Sequence, residues 1–194
     1  RTNRESIFAN LDDSWKAAYE AGVFTEFQEQ RAPGHTVLGD KIYGKGMEDL
    51  IGEIWAVRST LNFMDDPEAY DKREELEAMA ITARALIMYA ERHASRLEEL
   101  ALSESDPQRV AELKQMASVC RRVPAQAPTT MQEALQYYWF VHLGVITELN
   151  PWDSFNPGRL DQHLLPFYQK DLASGQLDAE GAKELLQSFW IKFN

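Results

Sequence analysis

The chain has 194 residues, enough for one domain or part of one, and at 44% hydrophobic with five tryptophans it has ample material for a core. A formal net charge of -11 and a pI near 4.8 argue against nucleic acid or an anionic membrane as partner, because both need a cationic surface. Its apolar runs fall short of the roughly 18–20 residues that span a bilayer, it shows no secretory signal pattern, and a single cysteine, Cys120, excludes an internal disulfide and a cysteine-based metal site. A reducing cytoplasm suits this composition.

Most of the chain reads as helix. Thr2-x-x-Glu5 has the pattern of a capping box, and Ile7, Leu11, Trp15 and Ala18 then share one helical face, with Gly22 as the stop. A second stripe runs through Met47, Leu50, Ile51, Ile54, Val57 and Leu61. Asp66-Pro67 opens a long helix to about Leu102, with Leu76, Met79, Ala83, Leu86, Ile87, Ala90 and Leu97 on its apolar face and charged residues on the other. Asp106-Pro107 repeats the start signal, and Arg121-Arg122-Val123-Pro124 ends that helix. Thr130-x-x-Glu133 caps a fifth helix carrying Tyr137, Tyr138, Trp139 and Phe140, a stripe that reads as core. The β-branched run 144–149 predicts one buried strand, and Asp178 caps a last helix. The chain opens at Arg1 without a methionine and closes on an amphipathic run with no stop signal, so it reads as a fragment of a longer protein.

Two polar stretches interrupt the helices, and such loops on a rigid scaffold are where binding chemistry concentrates. The first, Phe24 to Gly46, holds four glycines and one proline and contains Arg31 and His35, a spacing that can bind a carboxylate or supply acid and base. The bland reading is a surface turn with a satisfied histidine. The second, ELNPWDSFNPGRLDQ, places Trp152, Asp153 and Ser154 between two Asn-Pro steps. Asp153 can clamp a substrate hydroxyl or amine, or can satisfy its own turn; Arg159 can pair with Asp161 or cap the helix that follows. His93 and His163 read as helix surface and His142 as a hydrogen-bonded core histidine. Cys120 falls at helical spacing with Leu113 and Met116 and reads as a small core residue. Metal-ligand spacings, phosphate loops and nucleophile elbows are absent from the sequence.

Three stretches in this order, FTEFQEQRAPGHTVLGDKIYGKG, CRRVPAQAPTTMQEALQYYWFVHL and ELNPWDSFNPGRLDQHLLPFYQKDL, resemble the N-terminal half of a glycyl radical enzyme of the pyruvate formate-lyase-like family. The resemblance spans nearly the whole chain. It implies a mainly α fragment with a few short strands, cut from an α/β barrel of ten strands wrapped by helices. It implies one partial domain over 1–194, lacking the Gly-Cys-x-Glu loop of the thiyl cysteine and the C-terminal glycyl radical domain, so no catalytic residue lies in this segment. The radical would be installed by a separate S-adenosylmethionine/iron-sulfur activase, with no cofactor or metal bound here, and the full-length protein would be a homodimer in the cytoplasm. Within the family the motifs look nearest to the hydroxyproline dehydratase subfamily and related pyruvate formate-lyase-like proteins. Matched residue by residue, that subfamily's pocket Phe, His and Asp fall on Phe27, His35 and Asp153, with Arg31 and Trp152 beside them. The implied activity is that of a lyase or dehydratase acting by thiyl hydrogen abstraction. Formate C-acetyltransferase activity is the alternative within the family, and a non-catalytic helical scaffold the alternative outside it.

Overall fold

The structure is a computed structural model and describes residues 3–23, 38–148 and 157–193. Every regular element among these residues is helical. They are α1 (Asn3–Asn10), α2 (Asp13–Glu20), a 3₁₀ turn (Lys41–Tyr43), α3 (Met47–Ser59), α4 (Ala69–Ser103), α5 (Pro107–Arg122), α6 (Met131–Glu148), α7 (Leu160–Ser174) and α8 (Ala179–Ile191). The chain divides into two compact units, Arg1–Val37 with His142–Gly158, and Leu38–Val141 with Arg159–Asn194.

In the first unit the single opening helix expected from the sequence is two helices. Asp12 has extended backbone, and its carboxylate accepts the Trp15 N–H at 2.7 Å, which starts a new helix. The Ile7 to Ala18 stripe continues across this break, so periodicity alone does not reveal it. Phe8 meets Trp15 and Tyr19 edge-on, each at 5.4 Å between ring centroids. Gly22, at φ 72, closes α2 as expected. The strand expected at 144–149 is absent: α6 runs on helically through Glu148, and Leu149 lies outside the described residues. The β-branched run lowers helix propensity only slightly. Extending a helix already nucleated gains a hydrogen bond per residue. The Thr147 hydroxyl donates back to the Leu143 carbonyl at 2.6 Å, as β-branched hydroxyls do in helices.

The second unit is built around α4, a rod of 35 residues and about 52 Å. Its buried seam is alanine: Ala69, Ala80, Ala83, Ala90, Ala94 and Ala101. The expected stripe is therefore corrected in part. Met79 is exposed, whereas Ala83 and Ala90 are buried and Leu76, Leu86, Ile87 and Leu97 half-buried. Small side chains let the neighbouring helices α3 and α5 pack against α4 along their length. Ala90 and Ala94 join Cys120 of α5, Phe140 of α6 and Leu97 in one core cluster. Burial pushes the Cys120 thiol up to about 11, which fits its reading as a core residue. The expected long helix starts at Ala69, two residues beyond Pro67, with Asp66 closing the turn before it by accepting the Glu68 N–H at 2.9 Å.

The capping signals act largely as expected. Asp106 accepts the Gln108 N–H at 2.9 Å with Pro107 at the first turn of α5, and Asp178 accepts the Gly181 N–H at 2.7 Å. At the start of α6 the Glu133 N–H donates to the Thr130 hydroxyl at 3.2 Å. The Glu133 carboxylate reaches one residue further back than a capping box would, taking the Thr129 N–H at 2.6 Å and hydroxyl at 2.9 Å. Arg122 ion-pairs with that carboxylate at 3.2 Å and donates to the Ala127 carbonyl at 3.3 Å, stitching the corner between α5 and α6. Asp171 of α7, 2% exposed, accepts the Met131 N–H at 2.8 Å, and Lys170 donates to the Thr129 carbonyl at 2.8 Å. The start of α6 is thus held by α7. Its aromatic stripe is core as expected at Tyr137, Tyr138 and Phe140, with Tyr138 packed on Phe189 of α8 at 5.7 Å, whereas Trp139 is only half-buried.

Candidate functional site

The residues singled out from the sequence, Phe27, Arg31, His35, Trp152 and Asp153, lie outside the described residues. The structure instead defines the framework into which the chain re-enters after each of the two segments that carry them, 24–37 and 149–156.

After the first segment the chain resumes at Leu38 and Gly39, both left-handed at φ 61 and 59. Glycine takes that conformation freely, whereas in leucine it costs about 1–2 kcal/mol. The 3₁₀ turn follows, its Ile42 side chain wholly buried. Then comes Gly46, which is glycine for want of space. A Cβ there would sit 2.1 Å from the Ala125 carbonyl oxygen and 2.5 Å from Gln126 Cα. This close approach lets Met47 and Glu48 donate their N–H groups to the Pro124 and Ala125 carbonyls at 2.8 and 3.0 Å. The peptide bond preceding Pro124 is cis.

After the second segment the chain resumes at a buried Pro157 and enters α7. Arg159 makes no side-chain cap; it lies 3.7 Å from Asp161, both exposed, a pair of little energetic weight. His163, read from the sequence as helix surface, is half-buried. Tyr43 lies flat against it at 4.9 Å between centroids and 18° between planes, and also meets Phe167 at 6.4 Å. Tyr43 and His163, far apart in the chain, are therefore in contact. Burial raises the Tyr43 phenol to about 12, and among the described residues its buried hydroxyl has no hydrogen-bond partner, nor has that of Tyr137. Nothing in the local sequence signals the Tyr43–His163 contact, because it is made between distant segments.

Elsewhere the chemistry is muted. Among the described residues no group of three or more His, Cys, Asp or Glu can hold a metal ion, and no helix is long and apolar enough to cross a membrane. A groove lined by Trp55, Arg58, Ser59, Phe63 and Arg73 contains guanidinium groups already engaged, Arg58 over the Trp55 ring at 4.7 Å and Arg73 on Glu74 at 2.7 Å. His93 is exposed, as expected. His142 is buried, and burial holds its pKa below the usual histidine value, in keeping with a core histidine.

A family model described as pyruvate formate lyase-like matches residues 1–194, and the chain belongs to that family. It is 50% identical over its whole length to the trans-4-hydroxy-L-proline dehydratase of Clostridioides difficile, covering 25% of that protein. The crystal structure of that hydroxyproline dehydratase with trans-4-hydroxy-L-proline bound superposes with a TM-score of 0.85 over 98% of this chain and 24% of that one. A glycyl radical enzyme from Archaeoglobus fulgidus aligns with a TM-score of 0.75 at 33% identity, over 82% of this chain and 20% of that one. The isethionate sulfite-lyase of Nitratidesulfovibrio vulgaris is 36% identical over 78% of this chain and 18% of its own length. The chain thus spans about a quarter or less of the relatives it matches, and its fold is a helical piece of the glycyl radical enzyme barrel.

Proposed function

We propose that this chain is part of a glycyl radical dehydratase acting on a small hydroxylated amino acid of the 4-hydroxyproline kind. The observation that carries the reading is the 50% identity to trans-4-hydroxy-L-proline dehydratase without loss of coverage along this chain. The sequence contains no Gly-Cys pair, so the thiyl cysteine and the radical glycine belong to the rest of the protein, and this segment contributes part of the substrate wall. A thiyl radical takes one hydrogen atom from a substrate C–H bond. The hydroxyl then leaves as water on receiving a proton, and a hydrogen atom is returned to the product radical. In this scheme Asp153 accepts a hydrogen bond from the substrate hydroxyl or ammonium. His35 protonates the departing group or orients the carboxylate, and Phe27 shapes the pocket, with Arg31 and Trp152 adjacent. Such a site stays selective by holding one C–H bond in line with the thiyl. A radical S-adenosylmethionine activase as partner, a homodimeric assembly and a cytoplasmic location belong to the same reading.

The test is Asp153→Asn in the full-length protein, activated anaerobically and assayed with trans-4-hydroxy-L-proline. Loss of one positioned charged group predicts a fall in turnover of about 100-fold or more, with the unfolding midpoint unchanged within a few degrees. Undiminished turnover by the variant would remove Asp153 from the site. Failure of the activated wild type to convert hydroxyproline would remove the substrate assignment.

A further inference from the structure

We propose that the outer face of α4 is a contact between two copies of this chain, packed antiparallel about a twofold axis at Ile81; this deepens the homodimeric assembly of the reading above and rests on it.

The outer face lies opposite the alanine seam. Its apolar side chains are open: Tyr70, Ile81 and Met88 are each more than half exposed. Ile81, Ala85 and Met88 line one groove together with Arg84 and Arg92. These residues follow one another at three- and four-residue steps, so they form a continuous strip along the helix. The charges on that strip are sorted. Glu74 and Glu77 lie N-terminal to Ile81, and Arg84 and Arg92 lie C-terminal to it. Arg84 has an aromatic partner, Trp55 at 5.3 Å, and Arg92 has neither a hydrogen bond nor an ion pair among the described residues. Glu77 reaches Arg58 only at 3.9 Å. In a chain of net charge -11, two guanidiniums thus stand on an apolar strip without a carboxylate.

The strip is its own complement when reversed. A twofold contact presents the same patch from both sides. With two antiparallel copies of α4 crossing at Ile81, residues equally far before and after it come opposite one another. Ile81 meets its own copy at the axis. Ala78 comes opposite Ala85, and both are small and exposed, so the helices can approach to about 8 Å. Glu77 comes beside Arg84 of the second copy, and Tyr70 beside Arg92. Each guanidinium thereby gains a carboxylate or a ring face, and symmetry makes each pairing twice. A parallel pairing has no such match, because it sets glutamate beside glutamate and arginine beside arginine.

Sedimentation of the full-length protein, without activation, measures its dimer dissociation constant. Ile81→Glu sets two carboxylates face to face at the axis and should raise that constant about 100-fold or more. Ile81 is exposed within its own chain, so the variant's circular dichroism should match wild type. Glu77→Arg and Arg84→Glu should each raise the constant about tenfold, and together restore it to within about threefold. On one helix the two positions stand about 10 Å apart along the axis, so the rescue acts between copies. Ile81→Cys should form a disulfide-linked dimer under mild oxidation, whereas Met88→Cys, about 21 Å from its counterpart along the axis, should not. A dimer untouched by Ile81→Glu and not cross-linked through Ile81→Cys overturns the proposal and leaves the homodimeric assembly standing. A monomeric wild type overturns both. Ile81→Cys that is alkylated freely by iodoacetamide without cross-linking marks an open surface, and one that neither cross-links nor alkylates marks a face covered by another part of the protein; either result overturns the proposal. Conversion of hydroxyproline by the activated wild type is a separate readout and decides the substrate reading alone.

Discussion

Replacing Gly46 by alanine adds one methyl group at the point where two stretches of backbone touch. The added Cβ would fall 2.1 Å from the Ala125 carbonyl oxygen and 2.6 Å from the Gln126 carbonyl carbon. Neither neighbour is a side chain that can swing aside, so the two backbones must separate by more than an ångström. That separation takes the Met47–Pro124 and Glu48–Ala125 bonds, now 2.8 and 3.0 Å, beyond hydrogen-bonding range. Two lost bonds at about 1 kcal/mol each, with an overpacking cost of about 1–3 kcal/mol, give a destabilisation of about 3–5 kcal/mol. Gly46 has φ -84, so backbone preference contributes nothing to this figure. Gly52, inside α3 with nothing within 4 Å of an added Cβ, is the control: alanine there should stabilise by up to about 1 kcal/mol. Thermal unfolding of both variants in the full-length protein, with hydrogen exchange at 46–48 to localise the effect, measures the difference. A Gly46→Ala variant as stable as wild type would refute the close approach and the two backbone bonds that depend on it.

Asp171→Ala should cost about 1–3 kcal/mol by leaving the Met131 N–H buried without a partner, and Asp171→Asn, which keeps an acceptor, should recover most of that loss in the same unfolding assay. Cys120, with its thiol near 11, should react with iodoacetamide at pH 8 at least about a hundredfold more slowly in the folded protein than in urea, since only the thiolate attacks. His142 is held below the ordinary histidine pKa by burial. The unfolded state therefore binds its proton first as pH falls. The stability His142 contributes is present above the ordinary histidine value and lost as pH drops through it toward the folded value. A His142→Gln variant should show a shallower loss of stability between about pH 7 and 5.

What the sequence reveals of this fold follows from how local each determinant is. Asp106-Pro107, Thr130-x-x-Glu133 and Asp178 act on N–H groups within three or four residues, and those helix starts were legible. The break at Asp12 was hidden because apolar spacing persists across it. The run 144–148 was misread because β-branched side chains suit both strand and helix, and only a partner strand would have decided for the strand. On α4 the residues with the greatest hydrophobicity were not all chosen for burial: Met79 faces out while Ala80 and Ala94 face in, since at a close helix contact size outranks hydrophobicity. His35 and Asp153 stand out in their polar loops and Phe27 through family resemblance, whereas Tyr43 and His163 do not stand out together, because their contact exists only after folding.

The alanine seam of α4 has a further consequence for how this chain can change. A seam without protruding side chains has almost no shape of its own, so it sets distance without setting register; register must come from contacts outside it, such as Arg121 of α5 reaching Glu98 at 2.7 Å and Ser95 at 3.1 Å. Substitution should thus be tolerated very unevenly around the helix. Any residue larger than alanine on the inner side forces two neighbouring helices apart together, while the outer side away from Ile81, with Tyr89 and Leu102 already exposed, can drift in size and polarity at little cost. Variation along this rod should be gated by volume on one side and by solubility on the other.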